Sequence, residues 1–298
     1  MNPRTTALRQ ELARRPLVCD GATGTQLQLQ GLAPGACGEL WCVEQPDRVQ
    51  QVHRNYLAAG ADLLTTNSFG GTSYVLAGHG AGARVREINV AAARLARAIA
   101  GDRAWVLGDV GPFGGMLEPF GDAQHDEVIM AFCEQAAALL EGGADAILIE
   151  TMSDPVEAAL AVAAAKSVGA EFIFATYAFQ QSASGYRTMM GTTAAEAVAA
   201  AIDAGADAVG ANCGTELSLA DYEKLTTELV TAAGAMPVIV QPNAGSPKLI
   251  DGKIHYATTP ADFAATAARF SAAGARIVGG CCGSTPAHIA AMAALLKR

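Results

Sequence analysis

Three cysteines are the residues of this chain best suited to chemistry. Cys213 ends an apolar run in the sequence GANCGT, and Cys281 and Cys282 end another in GGCCGS. If these runs are parallel strands separated by one other strand, their ends lie at the same edge and the three thiols can converge. Adjacent residues of an extended strand point to opposite faces, so the chain must leave the β conformation at the cysteine pair. The flanking glycines permit this.

Three cysteine ligands without a fourth protein ligand are typical of a catalytic zinc site, because structural zinc sites usually have four. Zn²⁺ with three thiolates is negatively charged, which makes it poor at polarising a carbonyl group or acidifying water. Such a centre suits a substrate thiol, whose free pKa of about 8.5 leaves little thiolate at neutral pH. The pattern predicts a zinc-held thiolate that attacks an electrophilic carbon.

The ends of other apolar runs carry candidate substrate contacts. The Glu150 carboxylate would either pair with a substrate ammonium or brace a loop, and Asp20 presents the same two alternatives. The glycine-containing turn at 21–25 offers backbone N–H groups to a carboxylate, and Asn243 either hydrogen-bonds the site or holds a turn. The predicted substrate-binding residues are Asp20, Gly21, Ala22, Thr23, Gly24, Thr25, Glu150 and Asn243. These run ends contain no lysine or histidine, which argues against Schiff-base chemistry and a histidine metal cluster.

The elements that must position these residues follow from an internal repeat. A short Ala/Gly motif precedes four apolar runs, ending at Asp62, Asp145, Asp207 and Arg276. Four more apolar runs lie at 16–20, 104–110, 171–177 and 236–242, with alanine-rich helical stretches between the eight. Eight buried strands alternating with helices predict a single (β/α)8 barrel domain over residues 1–298, with a short N-terminal helical extension. A doubly wound open sheet is the alternative.

Composition excludes several classes of protein. The 298 residues carry a formal charge of −9 and only five lysines, which disfavours nucleic-acid binding. No run of about 18 uncharged apolar residues predicts a membrane span. The arginine-rich N-terminus has no apolar core of a secretory signal, so we expect a cytoplasmic protein. In that compartment Cys19, Cys37, Cys42 and Cys133 are expected to be reduced core residues.

Several segments of the chain resemble the homocysteine S-methyltransferase family. They are DGATGT at 20–25, TTNSFG at 65–70, GDVGPFGGMLEPFGD at 108–122, IETMSD at 149–154, GANCG at 210–214, QPNAG at 241–245 and GGCCGSTPAHI at 279–289. The 108–122 loop and the RTMMG segment at 187–191 look closest to the homocysteine-binding domain of cobalamin-dependent methionine synthases.

This resemblance implies a (β/α)8 barrel whose zinc ion binds the homocysteine sulfur. Carried over by motif, Cys213, Cys281 and Cys282 would be the zinc ligands. The Asp20–Thr25 turn and Glu150 would hold the amino-acid end of homocysteine.

Comparison with the family also bears on the identity of the methyl donor. Gln241 stands where many relatives have an aromatic residue, which argues against an aromatic cage for a cationic donor. The chain ends without cobalamin or folate modules, so we expect methylcobalamin on a separate corrinoid protein. The alternatives are a small donor (S-methylmethionine, S-adenosylmethionine or betaine) and a zinc- or thiol-binding barrel without turnover.

Overall fold

The computed structural model describes residues 2–214, 216–250 and 253–297. Eight parallel strands, named β1 to β8, lie in one sheet in sequence order. A parallel bridge between Cys19 and Leu63 joins the first strand to the second and closes the sheet. The predicted (β/α)8 barrel is confirmed, and the open-sheet alternative is wrong. The strands are Leu17–Val18, Leu63–Thr65, Trp105–Val110, Ala146–Met152, Ile173–Tyr177, Ala208–Asn212, Val238–Gln241 and Ile277–Val278.

Helices surround the barrel, and one of them follows each strand. The described helices are α1 Pro3–Arg14, α2 Thr23–Leu29, α3 Trp41–Glu44, α4 Pro46–Ala58, α5 Ser73–Ala77, α6 Val85–Ala100, α7 His125–Glu141, α8 Pro155–Ser167, α9 Ala194–Ala204, α10 Leu219–Ala233, α11 Pro260–Ala272 and α12 Pro286–Leu296. Helices α2, α3 and α5 are insertions in the loops after β1 and β2. Two antiparallel hairpins follow β5 and β7, formed by Phe179–Ser182 with Gly185–Thr188 and by Lys248–Ile250 with Lys253–His255.

The sequence repeat has a physical role at the N-terminal face of the barrel. Its glycines have φ values between 89° and 114°, a region that favours glycine and ends each preceding helix. Each aspartate then accepts a hydrogen bond from a backbone N–H of the neighbouring strand, which fixes the strand register. These bonds run from Val18 to Asp62 at 2.9 Å, from Val106 to Asp145 at 2.8 Å and from Ile173 to Asp207 at 2.9 Å.

Helix α1 covers this face of the barrel. Arginines on this helix and directly after it pair with the same three aspartates, Arg4 with Asp145, Arg9 with Asp207 and Arg15 with Asp62. Leu8 and Leu12 from the same helix are buried against the barrel interior. The charge pairs and the apolar contacts together close the end of the barrel opposite the cysteines.

The interior of the barrel is apolar below its open mouth. Leu63, Leu107, Leu148 and Ile239 from four different strands meet there. Cys19 lies in the same cluster, Cys37 and Cys42 are buried near the loop after β1, and Cys133 is half-buried on α7. No helix of the described residues has the length and apolarity needed to span a membrane.

Candidate active site

The three cysteines predicted to bind a metal meet at the C-terminal mouth of the barrel. Cys213 directly follows β6, and Cys281 and Cys282 lie in the loop after β8. Their sulfur atoms all lie within 4.8 Å of one another, and the Cys213 and Cys282 sulfur atoms are 3.5 Å apart. Within the described part of the chain, the cluster has no fourth histidine, cysteine or carboxylate ligand.

Local backbone geometry explains how adjacent cysteines share one site. Strand β8 ends at Val278, so Cys281 and Cys282 are already outside the sheet. The Cys281 N–H donates to the Pro242 carbonyl at 2.9 Å, and the Cys282 carbonyl accepts from the Ala244 N–H at 2.9 Å. The following Gly283 has a φ of +77°, and the Tyr256 ring fills the space where a side chain would start. The expectation that the chain leaves the β conformation here is confirmed.

Cys213 itself has a φ of +47°, which is unusual for a residue with a side chain. The next residue, Gly214, is held from two sides. Its N–H donates to the Tyr222 hydroxyl at 2.7 Å, and its carbonyl accepts from the Asn243 side chain at 3.3 Å. These contacts hold the backbone that directs the Cys213 sulfur toward the other two.

The sulfur cluster suits a metal cation. Hydrogen bonds from Cys213 and Cys281 lower the pKa of the Cys282 thiol to about 3. The pKa of Cys281 is raised by its hydrogen bonds to Cys213 and Cys282. Tetrahedral zinc with Zn–S bonds of about 2.3 Å requires sulfur atoms roughly 3.8 Å apart. The observed spacing therefore fits zinc with little rearrangement.

A cavity of about 440 Å³ opens beside the cysteines. Gly21, Ala22, Thr23, Gly24, Thr25, Glu150 and the three cysteines line it, as do Leu27, Leu32, Glu39, Thr65, Thr66, Asn67, Phe69, Asp109, Thr151 and Gln241. Most of the residues predicted to bind substrate are thus brought together around one space. Asp20 and Asn243 are not among the lining residues.

Asp20 and Asn243 instead support the walls of the cavity. The buried Asp20 carboxylate accepts hydrogen bonds from the Thr65 N–H at 2.9 Å and from the Thr65 hydroxyl at 3.1 Å. It thereby joins the ends of β1 and β2. Asn243 holds the Gly214 carbonyl next to Cys213.

The cavity wall is acidic. Glu150 and Asp109 face it, and Glu39 lines it from the loop before α3, whereas none of the lining residues is lysine, arginine or histidine. Burial and then the nearby Cys282 raise the pKa of Glu150 to about 8. Burial, reinforced by Glu150, raises the pKa of Asp109 well above its usual range. Among the described residues, the buried Asp109 Oδ1 atom has no hydrogen-bond partner. A bound cationic group would relieve both the repulsion and the desolvation.

Sequence reasoning assigned no role to Asp109 or Glu39. Asp109 stands near the end of β3, and its position at a strand end was the available signal. Glu39 lies in an irregular insertion after β1 and gave no signal of its own. Its carboxylate accepts a hydrogen bond from the Gly70 N–H at 2.7 Å, which ties this insertion to the loop after β2.

The fold and this site define a class: a (β/α)8 barrel with three converging thiols beside an acidic cavity at its mouth. The chain belongs to the homocysteine S-methyltransferase family, whose model matches residues 17–296. The predicted family is confirmed, and with it an enzyme of the methyltransferase class.

Two curated relatives are methionine synthases. The chain is 34% identical to that of Mycobacterium tuberculosis, with 97% of this chain and 25% of the relative covered. It is 33% identical to that of Mycobacterium leprae, with 98% of this chain and 25% of the relative covered. The chain therefore spans about a quarter of the length of these relatives.

Solved structures match over the whole fold. The metallated form of the homocysteine methyltransferase MmuM from Escherichia coli has a TM-score of 0.79 at 25% identity, covering 98% of this chain and 99% of that one. The oxidized form of MmuM has a TM-score of 0.76 at 27% identity, covering 99% of both chains.

Proposed function

We propose that this chain transfers a methyl group to the sulfur of homocysteine and so forms methionine. The observation that carries the proposal is the placement of the three-sulfur cluster, Glu150 and the 21–25 turn around one cavity. Homocysteine has a thiol at one end and an ammonium and a carboxylate at the other. These three groups match the three parts of the cavity wall.

Cys213, Cys281 and Cys282 would hold zinc through their sulfur atoms. When bound there, zinc supplies the positive charge that keeps a substrate thiol ionised at neutral pH. The support for this ion is the spacing and chemistry of the three sulfur atoms. The match to a metallated homocysteine methyltransferase is consistent with it.

The chain's own residues bind the amino-acid end. Glu150 and Asp109 surround the place where an ammonium would compensate their charge. Thr23, Gly24 and Thr25 form the first turn of α2, where backbone N–H groups lack acceptors within the helix and are available to a carboxylate. The Ala22 N–H is already used, because it donates to the Ser284 hydroxyl oxygen at 3.0 Å.

In the transfer step, a lone pair of the ionised homocysteine sulfur forms a bond to the methyl carbon. The bond between that carbon and the donor breaks, and its electron pair leaves with the donor. The thiol proton is released to solvent before this step. The protein contributes by holding the sulfur at a fixed place below the mouth, so that the attack is in line.

We propose methylcobalamin on a separate corrinoid protein as the donor. Phe69 is the one aromatic residue among those lining the cavity, so these residues form no aromatic cage for a small cation. Large apolar side chains are exposed in the segments that follow β1, β3, β5 and β7 at the mouth, namely Leu29, Phe120, Met189 and Leu249. Such a rim fits a docked protein better than open water.

One observation favours a small donor as the second candidate. The acidic wall without a basic residue would attract a positively charged donor such as S-methylmethionine, S-adenosylmethionine or betaine. A zinc- or thiol-binding barrel without turnover is the candidate from another class. A fourth protein ligand would support that reading, and the described part of the cluster contains three.

The test is methionine formation by the zinc-loaded protein. Homocysteine is supplied with free methylcobalamin, with methylcobalamin on a corrinoid carrier protein, or with each small donor. We expect methylcobalamin to work, and to work faster on the carrier at equal concentration. Faster turnover with a small donor would reject methylcobalamin as the donor, but it would leave the proposed methyl transfer to homocysteine standing. Zinc and homocysteine binding without methionine from any donor would reject catalysis.

A further inference from the structure

We infer that Asn212 is a positioning residue that orients Glu150 toward the substrate ammonium and connects it to the cysteine cluster. The inference rests on the proposed binding of homocysteine. Asn212 is the last residue of β6, is fully buried and directly precedes Cys213. Its side chain reaches across β5 to the end of β4, where Glu150 and Thr151 lie.

The Asn212 amide uses both of its ends. Its oxygen accepts hydrogen bonds from the Thr151 N–H at 2.9 Å and from the Thr176 hydroxyl at 2.8 Å. Its nitrogen donates to the Thr151 hydroxyl at 2.7 Å and to Glu150 Oε2 at 3.4 Å. The backbone N–H of Thr151 can only donate, so it fixes which end of the amide faces it. The nitrogen must therefore face Glu150.

Backbone strain is concentrated around this side chain. Thr151 has a φ of +62° and Cys213 a φ of +47°. A residue with a side chain in this region costs roughly 1 to 3 kcal/mol and persists where its surroundings hold it. Asn212 bonds to the backbone and the side chain of Thr151, and it is covalently joined to Cys213. The Asn212 amide thus holds one strained position, Thr151, and directly precedes the other, Cys213.

The consequence is a connection between the two ends of the substrate site. Asn212 directs one Glu150 oxygen through its N–H, and the Thr151 conformation fixes the chain that carries Glu150. Its nitrogen also lies 4.0 Å from the Cys281 sulfur. Without this amide, Glu150 loses its one described side-chain donor and Thr151 can relax, while all three sulfur atoms remain.

The test compares a ligand that carries the ammonium with one that lacks it. Methionine carries the ammonium without a free thiol, and 4-mercaptobutanoate is homocysteine without its ammonium. Binding of each to the zinc-loaded wild type, Asn212→Ala and Asn212→Ser is measured by titration calorimetry. We expect the methionine Kd to rise at least tenfold in both variants, the 4-mercaptobutanoate Kd to stay within twofold, and zinc to stay at one per chain.

Thr176→Val is the matched control. It removes one hydrogen bond to the Asn212 oxygen and leaves the bonds to Thr151 and Glu150, so the methionine Kd should stay within twofold. Equal weakening of both ligands, or equal effects of Thr176→Val and Asn212→Ala, would show a merely structural role and overturn the inference. An unchanged methionine Kd in whichever Asn212 variant folds would also overturn it. A wild type that binds neither ligand would reject the proposed function itself.

Discussion

The Ser284 hydroxyl oxygen accepts a hydrogen bond from the Ala22 N–H at 3.0 Å, and the same hydroxyl donates to the Cys281 carbonyl at 2.8 Å. One side chain therefore joins the turn that faces the cavity to the loop that carries two of the three cysteines. The Tyr56 hydroxyl reinforces the joint by donating to the Ala22 carbonyl at 3.0 Å. The substrate turn and the sulfur cluster are built as one unit.

Gly21→Ala should disrupt the contacts of Ser284 and Tyr56 with the 21–25 turn. A Cβ at position 21 would lie 2.5 Å from Ser284 Oγ and 3.0 Å from the Tyr56 hydroxyl oxygen, so both must shift. We expect a loss of roughly 1 to 3 kcal/mol in the free energy of unfolding, as for other overpacked sites. Urea unfolding measures it.

Gly24→Ala is the control within the same turn. A Cβ there meets no atom of the described residues within 4 Å, and alanine in a helix is favoured over glycine by roughly 0.5 to 1 kcal/mol. The free energy of unfolding of this variant should be unchanged or higher. Equal destabilisation by both substitutions would show that the contacts of Gly21 with Ser284 and Tyr56 do not matter.

Glu150→Gln should weaken homocysteine binding without removing metal. The substitution removes a charge partner of the ammonium, worth roughly 1.5 to 3 kcal/mol for a charged hydrogen bond. We expect the KM for homocysteine to rise roughly tenfold to a hundredfold on this basis, at 1.4 kcal/mol per factor of ten. Steady-state kinetics and zinc analysis measure the two quantities. Glu134→Gln on the exposed side of α7 is the control, and a wild-type KM in Glu150→Gln would make Glu150 a structural acid.

Each of Cys213→Ala, Cys281→Ala and Cys282→Ala should lose most of the bound zinc. Three ligands leave no redundancy, because removal of one leaves two sulfur atoms for the ion. Metal analysis of the purified variants gives the stoichiometry. Cys19→Ala, in the barrel interior, and Cys133→Ala, on α7, should keep about one zinc per chain. One zinc ion per chain in all three of these variants would contradict the assignment of the three cysteines as ligands.

His53 should make the protein sensitive to acid. It is fully buried on α4, and neither ring nitrogen has a hydrogen-bond partner in the described structure. Burial, with a smaller contribution from Arg54, lowers the pKa of His53 from 6.5 to about 4. The unfolded chain therefore binds more protons than the folded one between these values. Stability conferred by the neutral ring is present above pH 6.5 and falls by about 3 kcal/mol as the pH drops toward 4.

The measurement is urea unfolding of the wild type and His53→Gln between pH 4.5 and 7. Burial raises the pKa of Asp20 to about 7, so Asp20 makes the folded protein less stable as the pH rises, opposite to His53. Both proteins contain Asp20, so the difference between their pH dependences comes from His53. His79→Gln, at an exposed histidine, should keep the wild-type pH dependence. The same slope in wild type and His53→Gln would contradict this account.

The features that could be predicted from sequence are those with a repeating physical cause. Buried parallel strands require continuous apolar runs. The Gly-Ala repeat, followed by aspartate at three of its four sites and by Arg276 at the fourth, marks where a helix ends and the next strand begins, as between α4 and β2. The cysteines could be placed together because the carboxyl ends of parallel strands meet at one edge.

Other parts depend on contacts that no local pattern encodes. The hairpin at 179–188 is short and polar on one side, so its sequence resembles a loop. Asp20 follows a strand, as do several residues that line the cavity. Its carboxylate instead accepts hydrogen bonds from Thr65 on the next strand, and the sequence does not reveal this contact. Glu39 enters the site through its bond to Gly70, a tertiary contact.

The central claim is that the three cysteines hold zinc with a position open to the substrate sulfur. X-ray absorption at the zinc edge of the loaded protein counts its sulfur neighbours directly. We predict three sulfur ligands without substrate and four after addition of homocysteine, with no change after addition of homoserine, which has a hydroxyl in place of the thiol. A zinc ion whose sulfur count is unchanged by homocysteine would contradict the claim.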